Sequence, residues 1–351
     1  MERPIRVLVV DDSAFMRRVI SDMINEEADM EVIGTAVDGV DAIDKCCRDR
    51  PDVVTMDIAM PNMDGITALE RIMERCPTPV LMLTGISKEE ADVTIRSFER
   101  GAVDFIAKPS GQISLDIHKI RSELVEKIRN TAHVSVKGIV ITPTAPVKAD
   151  KAAPTELKVV VLGASTGGPQ AITEVMSKLP QDLNYAVLIV QHMPPTFTRS
   201  FADRLHKNAG VNAKEAEEGD LIEDGIVLVA PGDRHMKVKL RRIDGKLTPT
   251  ITLTDEPKVH NVRPSIDLLM ESAAEVFGKN VIGVVLTGMG RDGASGMETI
   301  KAHHGATLAQ DEDTSTVFGM PKATQDRIQV DRIVPLQEMA RQITEMICKE
   351  T

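Results

Sequence analysis

Three residues that could do chemistry together fall at equivalent points in the C-terminal half of the chain. Ser165 lies in Gly163-Ala164-Ser165-Thr166-Gly167-Gly168-Pro169, directly after an apolar run at 159–162. His192 follows the apolar run at 186–190, and Asp292 follows the run at 281–286, within Thr287-Gly288-Met289-Gly290-Arg291-Asp292-Gly293. A serine hydroxyl becomes a useful nucleophile when an imidazole takes its proton and a carboxylate holds that imidazole in the right tautomer. The small residues around Ser165 permit the sharp strand-to-helix turn that projects a nucleophile. The same glycine-rich turn at a helix N-terminus is also suited to holding a phosphate, so an output domain that only binds a nucleotide or a partner is the alternative. A dinucleotide site would call for an acidic residue about 20 positions further on. The next strand instead ends in Gln191-His192-Met193-Pro194-Pro195. The remaining histidines show no HExxH or comparable spacing, which disfavours a zinc hydrolase.

A second set occupies the N-terminal third: Asp11-Asp12, Asp57, Thr84 and Lys108-Pro109, each at or just past the end of a short aliphatic run. Three carboxylates brought together would repel and raise one another's pKa unless a divalent cation and an ammonium offset them. Oxygen ligands in a small open site suit Mg²⁺. An ionised Asp57 could then attack a phosphoryl donor, with Lys108 holding the incoming group and Thr84 sensing it.

The elements that must position these groups are legible as apolar runs. Runs at 5–10, 31–36, 53–56, 80–84 and 103–106 read as strands buried on both faces, with intervening stretches long enough for crossover helices. The later part repeats the pattern, with helices expected at about 168–178, 196–208, 265–277, 291–302 and 336–348. Segments 225–230, 236–242 and 248–254, punctuated by Pro231-Gly232-Asp233 and Asp244-Gly245, read as inserted antiparallel hairpins. Functional groups of open parallel sheets collect at the carboxyl ends of the strands, where both residue sets fall. The fold class expected is therefore α/β. A five-stranded parallel (βα)5 domain over 1–124 is followed by a linker at 125–156 and a doubly wound, mainly parallel domain with an antiparallel hairpin over 157–351. The prolines and Ala, Thr, Lys and Val content of the linker fit a semi-extended segment, with an edge strand at 138–142 as the alternative.

In order and spacing, Asp11-Asp12, Asp57, Pro61, Gly65, Thr84 and Lys108-Pro109 resemble the receiver domain of bacterial response regulators. The resemblance implies that Asp57 is the phosphoacceptor and that Asp11, Asp12 and Asp57 hold Mg²⁺. It further implies that Thr84, Phe105 and Lys108 carry the switch, and that a sensor histidine kinase is the phosphodonor. The order Ser165, His192, Asp292 departs from that of α/β-hydrolases. Together with 191–195, Ala230-Pro231-Gly232-Asp233 and 287–293, it resembles the catalytic domain of chemotaxis response-regulator protein-glutamate methylesterases. That resemblance implies hydrolysis of glutamyl methyl esters on methyl-accepting chemotaxis receptors, with deamidation of receptor glutamines, and no cofactor for the esterase reaction. Backbone N–H groups near Thr166 and Met289 are then the expected oxyanion donors. An aspartyl switch tethered to a hydrolase predicts that the unphosphorylated receiver restricts the Ser165 site.

Composition agrees with these expectations. The 351 residues exceed what one core usually organises. Seven Phe, one Tyr and no Trp leave few stacking platforms for single-stranded nucleic acid. A net charge of −11, with 24 acidic against 15 basic residues in 1–124, disfavours nucleic acid and anionic membranes as partners. No apolar run approaches a membrane span, and a cytoplasmic monomer is expected. Cys46, Cys47, Cys76 and Cys348 lack CxxC spacing and are expected to be reduced, buried small hydrophobes.

Overall fold

The computed structural model describes residues 3–108, 120–134, 156–180 and 182–348. The chain divides into two compact units, Met1–Ile141 and Thr142–Thr351. Pro109, the segment 138–142 and most of the expected linker lie outside the described residues.

In the first unit, β1 (Ile5–Val10), β2 (Met30–Ala36), β3 (Val53–Asp57), β4 (Val80–Thr84) and β5 (Asp104–Ala107) form one sheet in the order β2-β1-β3-β4-β5. All its pairings are parallel, with Val7 opposite Val53 and Leu81 opposite Asp104. Helices α1 (Ala14–Asn25), α2 (Gly39–Asp49), α3 (Gly65–Arg75) and α4 (Lys88–Glu99) supply the crossovers. Their starts are written in the sequence: Ser13, Asp38, Asp64 and Ser87 each accept a backbone N–H of the first turn, and Ser87 with Glu90 closes a capping box. Winding reverses between β1 and β3, which puts the loops after them at the sheet's switch point. The fifth helix, α5 (Arg121–Thr131), buries Leu124, Val125 and Ile128 against Val7, Val9 and Ile106. Residues 125–131 are therefore core-packing helix. The linker expected from 125 cannot begin before the end of α5, because these apolar side chains recur at helical spacing.

In the second unit, seven strands run β14-β13-β12-β6-β7-β9-β8 with every pairing parallel. They are β6 (Val159–Ala164), β7 (Ala186–Gln191), β8 (Asn212–Glu215), β9 (Ile226–Val229), β12 (Val281–Val285), β13 (Ala306–Gln310) and β14 (Arg332–Val334). The helices are α6 (Gly168–Lys178), α7 (Phe197–Ala209), α8 (Ile266–Phe277), α9 (Ala294–Ala302), α10 (Met320–Arg327) and α11 (Leu336–Cys348). The chain winds outward from β6 through β7, then returns to β12 on the other side of β6. The inserted hairpin is β10 (His235–Ile243) with β11 (Lys246–Thr254), joined by Asp244-Gly245, both at positive φ as a two-residue hairpin turn demands. Segment 225–230 is not part of a hairpin. Ile226–Val229 is uniformly apolar, so it suits a strand covered on both faces and pairs in parallel with β7 and β8.

The cysteines differ from expectation. Cys47 of α2 and Cys76, which ends α3, form a disulfide with Cα atoms 5.3 Å apart. The two helices lie side by side and bring together residues 29 positions apart. Cys46 is a buried free thiol, as expected, whereas Cys348 is exposed.

Candidate active site and phosphoacceptor pocket

In the first unit the ends of β1, β3 and β5 converge. Lys108 Nζ lies 2.8 Å from both Asp11 Oδ2 and Asp57 Oδ1. Asp57 Oδ1 also accepts the Ile58 N–H at 2.9 Å, and Asp11 Oδ1 accepts that of Ser13 at 2.9 Å. Asp11 and Asp57 are buried, while Asp12 is exposed. Burial pushes the Asp57 carboxyl up to about 6, against the pull of Lys108. Burial also works against the Lys108 ammonium, but the charges of Asp57 and Asp11 prevail and raise its pKa. Carboxylate oxygens of Asp11, Asp12 and Asp57 come within 4.8 Å of one another. This all-oxygen set, open on the Asp12 side, fits Mg²⁺.

Thr84 is buried and accepts a 2.8 Å hydrogen bond from Thr94 on α4, and its carbonyl accepts the Lys108 N–H. Phe105 is inward-facing, edge-on to Phe98 at 6.0 Å between ring centroids, with the Lys127 ammonium 5.3 Å from its ring centre. Lys127, which no spacing or motif singles out, also pairs with Asp104 at 3.1 Å.

In the second unit the switch point lies at β6. Ser165 follows β6 and His192 follows β7, its immediate neighbour, where Ala164 is in register with Gln191. The Ser165 N–H donates to Thr287 O at 3.1 Å, tying the Ser165 turn to the loop after β12. Gln191 Nε2 holds Ser165 O at 2.9 Å. Gly167 adopts φ +74° before the first turn of α6, and a Cβ there would meet the Thr316 side chain at 2.5 Å. A Cβ on Gly288 would stand 2.9 Å from Ser165 Cβ, so only glycine lets this loop lie against the serine.

Asp292 follows β12, is buried, and places Oδ2 2.9 Å from His192 Nε2. It also accepts the Ile266 N–H at 2.7 Å, the Asp267 N–H at 3.1 Å and the Ser265 hydroxyl at 2.8 Å. Burial works against its charge, but His192 and these N–H groups outweigh that and hold its pKa below the usual value. Asp292 therefore caps α8, not the helix that follows it in sequence. The structure brings His192 and Asp292 into direct contact and sets Ser165 on the adjoining strand end. Among the described residues no hydrogen bond joins the Ser165 hydroxyl to the His192 ring, a separation common before substrate binds. Thr166 is buried beneath the turn, its carbonyl accepting the Thr287 hydroxyl at 3.0 Å, and Met289 is half-buried in the facing loop. His260 and Asp267, which carried no signal in the sequence, stand behind Asp292.

The two units together define a response regulator with a hydrolase-type output. A Response regulator receiver domain model matches residues 7–118 and a CheB methylesterase model matches residues 160–343; the chain belongs to the CheB methylesterase family. It is 48% identical over 352 residues to a protein-glutamate methylesterase/protein-glutamine glutaminase of Pyrococcus horikoshii, covering 99% of this chain and 95% of the relative. It is 41% identical over 346 residues to a protein of the same name from Thermotoga maritima, covering 99% of each. The crystal structure of the Thermotoga maritima CheB methylesterase catalytic domain matches with a TM-score of 0.52 at 37% identity, covering 55% of this chain and all of that domain. No described helix is long and apolar enough to cross a membrane.

Proposed function

We propose that this chain is a phosphorylation-regulated serine hydrolase that demethylates glutamyl methyl esters on chemotaxis receptors and deamidates receptor glutamines. The observation that carries the reading is the 2.9 Å contact of His192 Nε2 with Asp292, one strand from Ser165. With Nε2 committed to the carboxylate, Nδ1 takes the Ser165 proton as the hydroxyl attacks the side-chain carbonyl. The proton then passes to departing methanol, or to ammonia from a glutamine. Water, deprotonated by the same imidazole, frees the glutamate and restores the serine. Asp292 stabilises the imidazolium formed in each half. Backbone N–H groups at Thr166 and Met289 are the oxyanion donors, each contributing about 3 kcal/mol. No cofactor enters these steps.

In the receiver, Asp57 is the phosphoacceptor and a sensor histidine kinase the donor. Asp11, Asp12 and Asp57 would hold Mg²⁺, which neutralises charge on the incoming phosphoryl group. Lys108 orients that group, and Thr84 and Phe105 repack in response. Phosphorylation shifts a two-state equilibrium toward the open enzyme.

Methanol release from methylated receptor membranes, with and without a small phosphodonor, tests the whole reading. Ser165→Ala should abolish release while leaving Asp57 phosphorylation intact. Turnover retained in that variant rejects the serine as nucleophile, and a full phosphodonor response in Asp57→Ala rejects the switch.

A further inference from the structure

Asp267 is a buried carboxylate beside Asp292 that the proposed mechanism does not use. It lies in the first turn of α8, and its Oδ1 accepts the Gly293 N–H at 2.9 Å and the Gly296 N–H at 2.7 Å, at the start of α9. Asp292 in turn accepts the Ile266 and Asp267 N–H groups at the start of α8. Each aspartate thus caps the helix adjoining the other, and the loop carrying Asp292 is clamped from both sides.

A second histidine completes the arrangement. His260 Nε2 lies 3.2 Å from Asp267 Oδ2, and Arg291 Nε lies 3.3 Å from His260 Nδ1. A guanidinium can only donate, so Nδ1 accepts and the His260 proton sits on Nε2, directed at Asp267. The resulting chain runs Arg291, His260, Asp267, Asp292, His192.

The charge on Asp267 is held at a cost. Its oxygens come within 4.8 Å of those of Asp292, and burial and that neighbouring charge raise its pKa. Glu271, one turn along α8, adds to the repulsion, while His260 and the α9 N–H groups favour the ionised form. Arg291 and Arg327 line the 380 Å³ cavity that opens beside these residues. A neutral amide could accept the same two N–H groups. What only the carboxylate supplies is a negative charge behind Asp292, where an imidazolium develops during the reaction.

Resting on the triad reading above, we infer that Asp267, kept ionised by His260, is a positioning residue that clamps Asp292 and stabilises the imidazolium formed on His192 during the reaction. The test is methanol release from methylated receptor membranes by the full-length protein and its Asp267→Asn and His260→Ala variants across pH. Asp267→Asn should lower kcat about tenfold with KM unchanged and move the acid limb of kcat/KM down by roughly half a pH unit, without lowering Tm. His260→Ala, which leaves the α9 cap in place, should match the native protein at alkaline pH and lose rate increasingly as pH falls. An unchanged acid limb in both variants, or losses that only track Tm, overturns the inference. Should Asp267→Asn fail to fold, the His260→Ala profile decides alone. Native protein whose turnover does not depend on Ser165 would instead sink the triad reading, so the two failures are distinguishable.

Discussion

His192 meets Asp292 through Nε2, not through Nδ1, at 2.9 Å. That contact leaves Nδ1 as the ring nitrogen available to the serine in the proposed mechanism, and the carboxylate selects the tautomer with the proton on Nε2. Asp292→Asn would offer an amide N–H to a ring N–H or force the opposite tautomer, leaving Nδ1 protonated and unable to accept from Ser165. Methanol release should fall ~10⁴-fold in kcat with receptor binding retained. A loss under tenfold would show that the ring orientation does not depend on this carboxylate.

Gly288 is pressed against Ser165. A methyl group there would meet Met320 Sδ at 2.4 Å, Ser165 Cβ at 2.9 Å and Ser165 N at 3.0 Å. The backbone on both sides is tied down, since Gly288 O accepts the N–H groups of Gly319 and Met320. Gly288→Ala should therefore displace Ser165 and lower kcat/KM by roughly 10²-fold, with Asp57 phosphorylation unaffected. Steady-state kinetics beside phosphoryl incorporation reads both quantities.

Much of this arrangement could be read from the chain because the chemistry sits where apolar runs stop. Asp11, Asp57, Ser165, His192 and Asp292 each follow a short run covered on both faces, and parallel sheets gather such positions at one edge. What escaped depends on packing between distant segments. The role of Asp267 arises because α8 crosses β6 where Gly163 has no side chain, a Cβ there meeting Ile266 at 2.5 Å. Nothing in the spacing of His260, Asp267 and Asp292 signals that contact. β9 forms an inner parallel strand where a hairpin strand is expected, because a short apolar run beside turn residues fits both equally well.

The Cys47–Cys76 bridge closes a loop of 29 residues between α2 and α3. A loop of that length restrains the unfolded chain by about 3.6 kcal/mol. Alkylation in denaturant without reductant should label two thiols, Cys46 and Cys348, and four after reduction. Reduced protein, or Cys47→Ser, should show the first unit unfolding at lower denaturant by that amount. Four labelled thiols without reductant would exclude the bridge.

Burial makes the Asp57 carboxylate costly to keep charged. Its pKa rises from the ordinary 3.8 to about 6, chiefly through burial, with Lys108 opposing the rise. Because the folded value lies above the unfolded one, ionisation destabilises the fold. The penalty is absent below about pH 4, grows through the interval to pH 6 and is complete above it, at about 3 kcal/mol. Asp57→Asn should accordingly stabilise the first unit in EDTA at pH 8, by up to that amount, and make no difference near pH 3.5. Mg²⁺ should stabilise the native protein at pH 8 because the ion binds only the folded carboxylate set, and should do so far less in Asp57→Asn. Denaturant titrations read through hydrogen exchange of the β3 amides separate this unit from the second. A stability difference independent of pH would show that the carboxylate is not strained by its surroundings and that the variant acts through shape alone.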